Sequence, residues 1–280
     1  MAGTGYDQRS MIFRVRRRTL LLFKKIWQEY YYKKNNKNHI YIFVAGMQRS
    51  GTNMLMEVLE RSFHTDVYHE TDRRAFDSFQ MREEPVIRNL AAASPAPFFI
   101  IKALCELDLI PKLMSSFNPA KTVWLLRDVR DVANSAARSF SSLSTSVRQI
   151  VKDRNAAEWR GRGMSDDTYE RIRTLYYPDM NQYTAAALTW YFRNILFFEK
   201  GLDQNNNVLL VCYERLIKDP HLEFERIFKF LGIPYSPWIS SIVFANSGRS
   251  RIKPLIDTNV EALCDELARR FEDLLRFTTK

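Results

Sequence analysis

The amino-acid sequence predicts an α/β fold, in which a P-loop-like, doubly wound parallel sheet is flanked by helices. Three observations predict it. Continuous apolar runs, such as 40–45 and 98–101, have the composition of strands that are buried on both faces. Amphipathic stretches of helical period alternate with these runs. A glycine-containing turn joins the first run to the helix that follows it.

The predicted elements alternate along the chain. The strands are expected at 40–45, 67–68, 98–101, 122–126 and 208–212. The helices are expected at 52–61, 128–140, 181–201, 220–231 and 261–277. The helix 220–231 carries the clearest boundaries, because Asp219-Pro220 is a typical helix start and Gly232 a typical stop.

The positive charge of the chain is concentrated before the first strand. The 280 residues include 42 Lys and Arg against 32 Asp and Glu, a formal net charge of +10. Residues 1–39 alone carry +8, which leaves +2 for the rest and argues against nucleic acid as a partner of the main domain. We therefore predict a basic N-terminal extension, 1–39, and a single domain, 40–280. Within it, 141–180 fits no regular period and is predicted to be an insertion or a lid.

The extension itself predicts a basic helix over 11–34 with apolar positions at intervals, namely Phe13, Leu20, Phe23, Trp27 and Tyr31. Two interpretations remain open. The helix would either lie on an anionic membrane surface or pack on the domain with its basic face in solvent. Its apolar run 20–23 is shorter than the roughly 7–15 residues of a signal peptide, and no run approaches the roughly 18 residues of a membrane span.

The cysteines and histidines predict neither a disulfide framework nor a metal site. The three cysteines are far apart without a CxxC pair, and the four histidines lack metal-ligand spacing. This usage fits a reducing compartment. We expect a cytoplasmic protein that is not secreted and has no transmembrane span, peripheral to a membrane if the helix binds one.

The turn after the first strand has the composition of a phosphate-binding loop. It reads Gly-Met-Gln-Arg-Ser-Gly-Thr-Asn, with Gly46 and Gly51 at GxxxxG spacing. Glycines let the backbone approach phosphate oxygens, and free N–H groups at a helix start attract an anion. An ATP-dependent kinase of a small molecule is the alternative function, although Thr52 stands where its lysine would be and the basic residue is Arg49. A tight turn without a ligand is the structural alternative.

A second motif follows the strand 122–126. Arg127 ends this strand, where a Mg²⁺-nucleotide enzyme usually has a metal-binding Asp. Ser135 comes eight residues later, two turns into a predicted helix. Two turns rise only about 12 Å, so the long Arg127 side chain and Ser135 could meet on one anion. The alternative is an Arg/Asp network that caps the helix.

Together these motifs resemble those of the sulfotransferases that use 3′-phosphoadenosine 5′-phosphosulfate (PAPS). The loop 49–52 is similar to the family's 5′-phosphosulfate loop, and Arg127 and Ser135 have the spacing of its 3′-phosphate pair. A third stretch, 211–217 with Asp219-Pro220 and 230–233 after it, is similar to the family's tyrosine-glutamate strand end, helix and leucine-glycine stop. The likeness covers about 40–255 and is greatest to the bacterial carbohydrate and tyrosylprotein types.

The resemblance implies sulfuryl transfer from PAPS to a hydroxyl acceptor, with adenosine 3′,5′-bisphosphate (PAP) as product and no metal. It implies cofactor contacts along the three motifs and a basic loop downstream: Gly46, Gln48, Arg49, Ser50, Gly51, Thr52, Asn53, Arg127, Ser135, Tyr213, Arg249, Arg251 and Lys253.

The resemblance also implies catalytic roles for Glu70, Arg49 and Lys102. Glu70 follows a short strand at the position of a catalytic glutamate in several relatives, and would be the base. His69 is the competing base. Arg49 and Lys102 would stabilise the leaving group. The acceptor is expected to be a carbohydrate or a glycolipid, that is, a glycan or lipid-linked glycan, with 141–180 on the acceptor side.

Overall fold

The computed structural model describes residues 4–32, 38–243 and 253–277, with side chains of the first helix from Arg17 onward. Seven strands are present in this part: β1 (Ile40–Gly46), β2 (Thr65–Tyr68), β3 (Phe76–Asp77), β4 (Gln80–Met81), β5 (Phe98–Lys102), β6 (Ala120–Leu126) and β7 (Val208–Cys212). Five of them form a parallel sheet in the order β2-β5-β1-β6-β7, and β3 pairs with β4 in a short antiparallel hairpin.

Twelve α-helices lie within the described residues. They are α1 (Thr4–Tyr32), α2 (Thr52–Glu60), α3 (Glu84–Ala93), α4 (Ile110–Ser116), α5 (Val129–Ser139), α6 (Leu143–Lys152), α7 (Asp166–Leu175), α8 (Gln182–Asn194), α9 (Leu196–Glu199), α10 (Tyr213–Lys218), α11 (Pro220–Leu231) and α12 (Thr258–Phe277). None of the described helices has an apolar stretch long enough to cross a membrane.

The central strand β1 separates two apolar cores. Phe43 and Ala45 point into one core, and Ile42 and Val44 point into the other, all without solvent exposure. Side chains alternate across a strand, so a strand covered on both faces must be apolar at every position. The parallel sheet flanked by helices confirms the predicted α/β fold class.

The strand register brings the carboxyl ends of three strands together. Val44 of β1 is opposite Lys102 of β5, and Gly46 is opposite Leu125 of β6. The segments that leave β1, β5 and β6 therefore meet at one edge of the sheet, where ligands bind in open α/β folds.

Polar side chains hold helix α1 on the domain. Arg17 donates two hydrogen bonds to the Glu60 carboxylate, at 2.6 and 2.8 Å. The buried Lys24 ammonium donates to the Glu60 carbonyl at 2.6 Å, which caps the carboxyl end of α2. Gln28 donates to the carbonyls of Phe63 and Thr65. The contact with the domain is therefore made largely by the polar side of the helix.

Two predicted segments differ in detail from the structure. Residues 141–180 contain α6 and α7, whose buried Val147, Ile150 and Ile172 pack into the larger core. These helices have ten residues each, so each presents too few apolar positions for its period to stand out. The predicted helix 181–201 is divided into α8 and α9.

Candidate active site

Two glycines shape the turn after β1. Gly46 has a φ of +136°, and a Cβ there would lie 2.4 Å from the Leu125 carbonyl oxygen. Gly51 has a φ of +97°, and its Cβ would lie 2.4 Å from the Tyr213 ring. Both positions combine a left-handed backbone with a close neighbour, so only glycine fits without rearrangement.

The turn places the uncapped N-terminus of α2 in the wall of a cavity. Gly51 is the N-cap residue of α2, and it has no side chain that could accept hydrogen bonds from the free N–H groups of the first turn. Thr52, Asn53 and Met54 line the cavity, so its wall includes a helix start with partial positive charge. The Ser50 hydroxyl is buried and donates to the Met47 carbonyl at 2.6 Å, which stabilises the turn itself.

The structure brings Arg49, Arg127 and Ser135 together. Arg49 Nε donates to Ser135 Oγ at 2.8 Å, and Arg127 Nη1 donates to the Arg49 carbonyl at 3.2 Å. The Arg127 guanidinium stacks over the Tyr213 ring, 4.3 Å from its centroid. Trp190 Nε1 donates to the Arg127 carbonyl at 2.9 Å. Arg49 and Arg127, which are 78 residues apart in the sequence, therefore lie close together in the structure.

These residues surround a cavity of about 610 Å³, here called the donor cavity. Its lining contains eight of the predicted cofactor residues, Gln48, Arg49, Gly51, Thr52, Asn53, Arg127, Ser135 and Tyr213. Gly46 and Ser50 lie behind this lining and shape the turn. The sequence analysis missed the apolar part of the wall, which carries no motif: Met54, Leu104, Phe140, Ile242 and Val243.

The downstream basic loop is only partly described. Lys253 is exposed, whereas Arg249 and Arg251 lie outside the described residues. Their predicted cofactor contacts stay predictions.

Glu70 and Lys102 meet at the end of the donor cavity. Lys102 Nζ lies 2.6 Å from Glu70 Oε2 and also donates to Asn53 Oδ1. The Lys102 side chain is only 1% exposed. Burial lowers the pKa of Lys102, and the Glu70 carboxylate partly opposes this effect. A cation and a carboxylate are thus fixed beside the start of α2.

A second cavity, of about 780 Å³, adjoins the first. It is here called the acceptor-side cavity, because the predicted base Glu70 would meet its acceptor there. Asn53 and Glu70 line both. Its wall carries six carboxylates, Glu29, Glu57, Glu60, Asp66, Glu70 and Asp72. It carries four cationic side chains, Arg17, Lys24, Lys25 and Arg74. Helix α1 therefore forms one wall. The sequence left its packing on the domain open and expected a basic face in solvent, whereas Arg17 and Lys24 face the domain.

His69 lines the acceptor-side cavity, whereas Lys102 lines only the donor cavity. His69 Nε2 is 3.4 Å from Glu60 Oε1, and Glu60 also binds Arg17. Burial raises the pKa of Glu60, but the interactions with His69 and Arg17 outweigh it and hold that pKa at about 2. Among the described lining residues, Glu70 but not His69 reaches the donor cavity.

In the part of the chain that the structure describes, no group of three His, Cys, Asp or Glu side chains could hold a metal ion. The described lining of the two cavities includes no residue from 141–180, so a lid at this place stays a prediction.

Comparison with known proteins identifies the family. The model of the sulfotransferase domain matches residues 40–252, so the chain belongs to the sulfotransferase family. This confirms the resemblance seen in the sequence.

One curated relative is cytosolic sulfotransferase 11 of Arabidopsis thaliana, 23% identical over 203 residues. The match covers 70% of this chain, and the chain spans about half, 52%, of that protein's length.

Two solved structures share the fold. The sulfotransferase domain from the curacin biosynthetic pathway superposes with a TM-score of 0.52 at 14% identity, over 83% of this chain and 99% of that one. The sulfotransferase from Alicyclobacillus acidocaldarius gives 0.50 at 15% identity, over 85% and 96%.

Proposed function

We propose that this protein transfers a sulfuryl group from PAPS to a hydroxyl acceptor and releases PAP. One observation carries the proposal. Arg49, Arg127 and Ser135 converge with the uncapped start of α2 on the donor cavity, and the Lys102–Glu70 pair is part of its lining. Family membership supports the same reaction.

The donor would be held at both of its charged ends. Backbone N–H groups at the start of α2 and the Arg49 side chain would bind the 5′-phosphosulfate. Arg127 and Ser135 would bind the 3′-phosphate, which ATP lacks. The alternative function, an ATP-dependent kinase, has little support from the site, because Thr52 occupies the position at which the loop of a kinase has a lysine.

In the proposed reaction, the acceptor oxygen attacks sulfur while its proton passes to the Glu70 carboxylate. The bond between sulfur and the bridging oxygen breaks, and the phosphate of PAP takes the electron pair. Arg49 and Lys102 would stabilise the negative charge that grows on this oxygen. Positioning and charge stabilisation then provide the catalysis, as in phosphoryl transfer. The base is assigned to Glu70 rather than His69 because Glu70 borders both cavities.

The acceptor is proposed to be a neutral glycan, free or linked to a lipid. The wall of the acceptor-side cavity is polar, which suits a polyhydroxylated ligand. Its six carboxylates outnumber its four cationic side chains, so an acidic glycan would be repelled. The basic helix α1 beside this cavity favours a lipid-linked acceptor.

We propose a cytoplasmic location. The three cysteines are unpaired, which fits a reducing compartment. A relative named as a cytosolic sulfotransferase supports the same location.

Ligand-dependent thermal unfolding tests the donor assignment. PAP without Mg²⁺ at roughly 100 times its Kd should stabilise the protein by about 2.7 kcal/mol, whereas ATP with Mg²⁺ should not. Stabilisation by ATP–Mg²⁺ and none by PAP would reject the proposal. Transfer from ³⁵S-labelled PAPS to a panel of neutral and acidic glycans then tests the acceptor class.

A further inference from the structure

Helix α1 presents an apolar face to solvent. Leu22, Phe23, Ile26 and Tyr30 are 65%, 67%, 68% and 83% exposed. Their spacing places them on one side of the helix, in a stripe of about 100°. Single exposed apolar residues are ordinary, but four on one helix face form a continuous surface.

The orientation of this face is fixed by the opposite side of the helix. Arg17, Lys24 and Gln28 lie on that side, and each is hydrogen-bonded to the segment 60–65. Trp27 packs edge-on against Phe63, with ring centroids 5.5 Å apart. The helix therefore cannot turn its apolar stripe toward the domain without breaking these bonds, and something else must cover the stripe if it is to be buried.

The charge around the stripe identifies the occupant. Arg18 and Lys25, both exposed, lie along its edge, and residues 1–39 together carry +8, of which Arg17 and Lys24 face the domain instead. A second copy of the chain would bring the same positive charge to the contact and would be repelled. An anionic lipid surface is complementary to the apolar stripe and to its basic border, since it accepts apolar side chains and attracts Lys and Arg at its headgroups.

We propose that the stripe Leu22, Phe23, Ile26 and Tyr30 docks on an anionic bilayer surface, with α1 parallel to the membrane plane. Leu22, Phe23 and Ile26 enter the acyl boundary, and the Tyr30 ring lies at headgroup level. Lys25 and Glu29 border this stripe and also line the acceptor-side cavity. One wall of that cavity consequently lies at the membrane surface.

Vesicle co-sedimentation tests the proposal on the whole chain, without PAPS or acceptor. Vesicles of phosphatidylglycerol and phosphatidylcholine should bind the protein at least tenfold more tightly than vesicles of phosphatidylcholine alone, and added salt should weaken this binding. The double variant Phe23→Ser/Ile26→Ser should bind at least tenfold more weakly. Leu222→Ser is the matched control, because Leu222 is 61% exposed and belongs to α11 rather than to α1.

Several outcomes would overturn the docking. They are equal binding to both vesicle types, equal loss in the Leu222→Ser control, and a dimer that the double variant makes monomeric while vesicle binding is absent. Unchanged melting temperatures for both variants confirm that folding is preserved. The result does not depend on sulfuryl transfer, so a failure of the proposed reaction would be seen separately in the PAPS assay.

Discussion

Lys102 and Glu70 form an ion pair at the boundary between two cavities, with Nζ 2.6 Å from Oε2. The lysine is buried, whereas the carboxylate is partly exposed and borders both cavities. A carboxylate in this position can contact an acceptor on one side while the lysine contacts a leaving group on the other.

Replacing Glu70 by Gln should lower kcat by about 10²- to 10⁴-fold, because an amide cannot accept the acceptor proton. PAP affinity, measured by calorimetry, should stay within about threefold of wild type, since Glu70 binds neither phosphate in the proposal and the Gln amide oxygen can still accept the hydrogen bond from Lys102. Glu57→Gln is the matched control, because it removes another carboxylate from the acceptor-side cavity. Normal turnover by Glu70→Gln with loss in His69→Gln would instead make His69 the base.

The pH–rate profile should report Lys102. Burial lowers the pKa of this lysine, so its ammonium loses its proton at a lower pH than an exposed lysine does. Above that pH the cation no longer stabilises the leaving oxygen, and kcat should fall. Lys102→Arg should retain its charge and lose this alkaline limb. An unchanged limb in Lys102→Arg would assign the titration to another group.

Replacing Ser135 by Ala should weaken PAP binding by about tenfold or more, because a hydrogen bond to a charged phosphate is lost. Affinity for adenosine 5′-phosphosulfate, which has no 3′-phosphate, should be unchanged. Ser139→Ala is the matched control, since Ser139 is exposed one turn further along α5. Equal losses for both nucleotides would mean that Ser135 acts by holding Arg49, to which it is hydrogen-bonded at 2.8 Å.

Gly51→Ala should destabilise the protein more than Gly201→Ala. Both glycines have positive φ, so an added Cβ costs about 1 kcal/mol or more at either site. Only at Gly51 does the Cβ also meet a ring, that of Tyr213, whereas Gly201 has nothing within 4 Å. We expect at least twice the loss in free energy of unfolding, measured by chemical denaturation, and weaker PAP binding. Equal losses would show that backbone strain alone matters.

Glu60 should make stability depend on pH in the acid range. Its pKa is held at about 2, below the ordinary value of 4.5, so its contribution is fully present above about pH 4.5 and is lost as the pH falls toward 2. The difference between these pKa values corresponds to about 3 kcal/mol. Glu60→Gln should therefore be less stable than wild type near pH 7, with the gap narrowing below pH 4.5 in urea unfolding. A gap that is constant with pH would contradict this.

The parts of the site that the sequence predicted are those carried by strand ends. Arg49 and Arg127 each follow a long apolar run, and parallel strands bring such ends to one edge. The contacts between Lys102 and both Asn53 and Glu70 were not predictable as contacts, because they depend on side-chain positions across 49 and 32 residues. The apolar wall of the donor cavity, including Leu104 and Phe140, was missed because no motif marks such residues.

The orientation of α1 could not be predicted from the sequence for a different reason. Amphipathic patterns are usually interpreted with the apolar side toward the protein, but here Arg17, Lys24 and Gln28 face the domain. Burial lowers the pKa of Lys24 to about 8, a cost that hydrogen bonds to the Glu60 carbonyl and Thr65 offset. Such a contact depends on carbonyls at a helix end and a strand start, whose positions follow only from the folded chain.

The two cavities have separate walls and share only Asn53 and Glu70 among their described lining residues. In the proposed reaction, the nucleotide and the acceptor would therefore bind in spaces whose linings meet only at these two residues. This arrangement favours a random-order ternary-complex mechanism, in which neither substrate must bind first. Initial-rate plots against both substrates should then intersect, and PAP should inhibit competitively against the donor at any acceptor concentration.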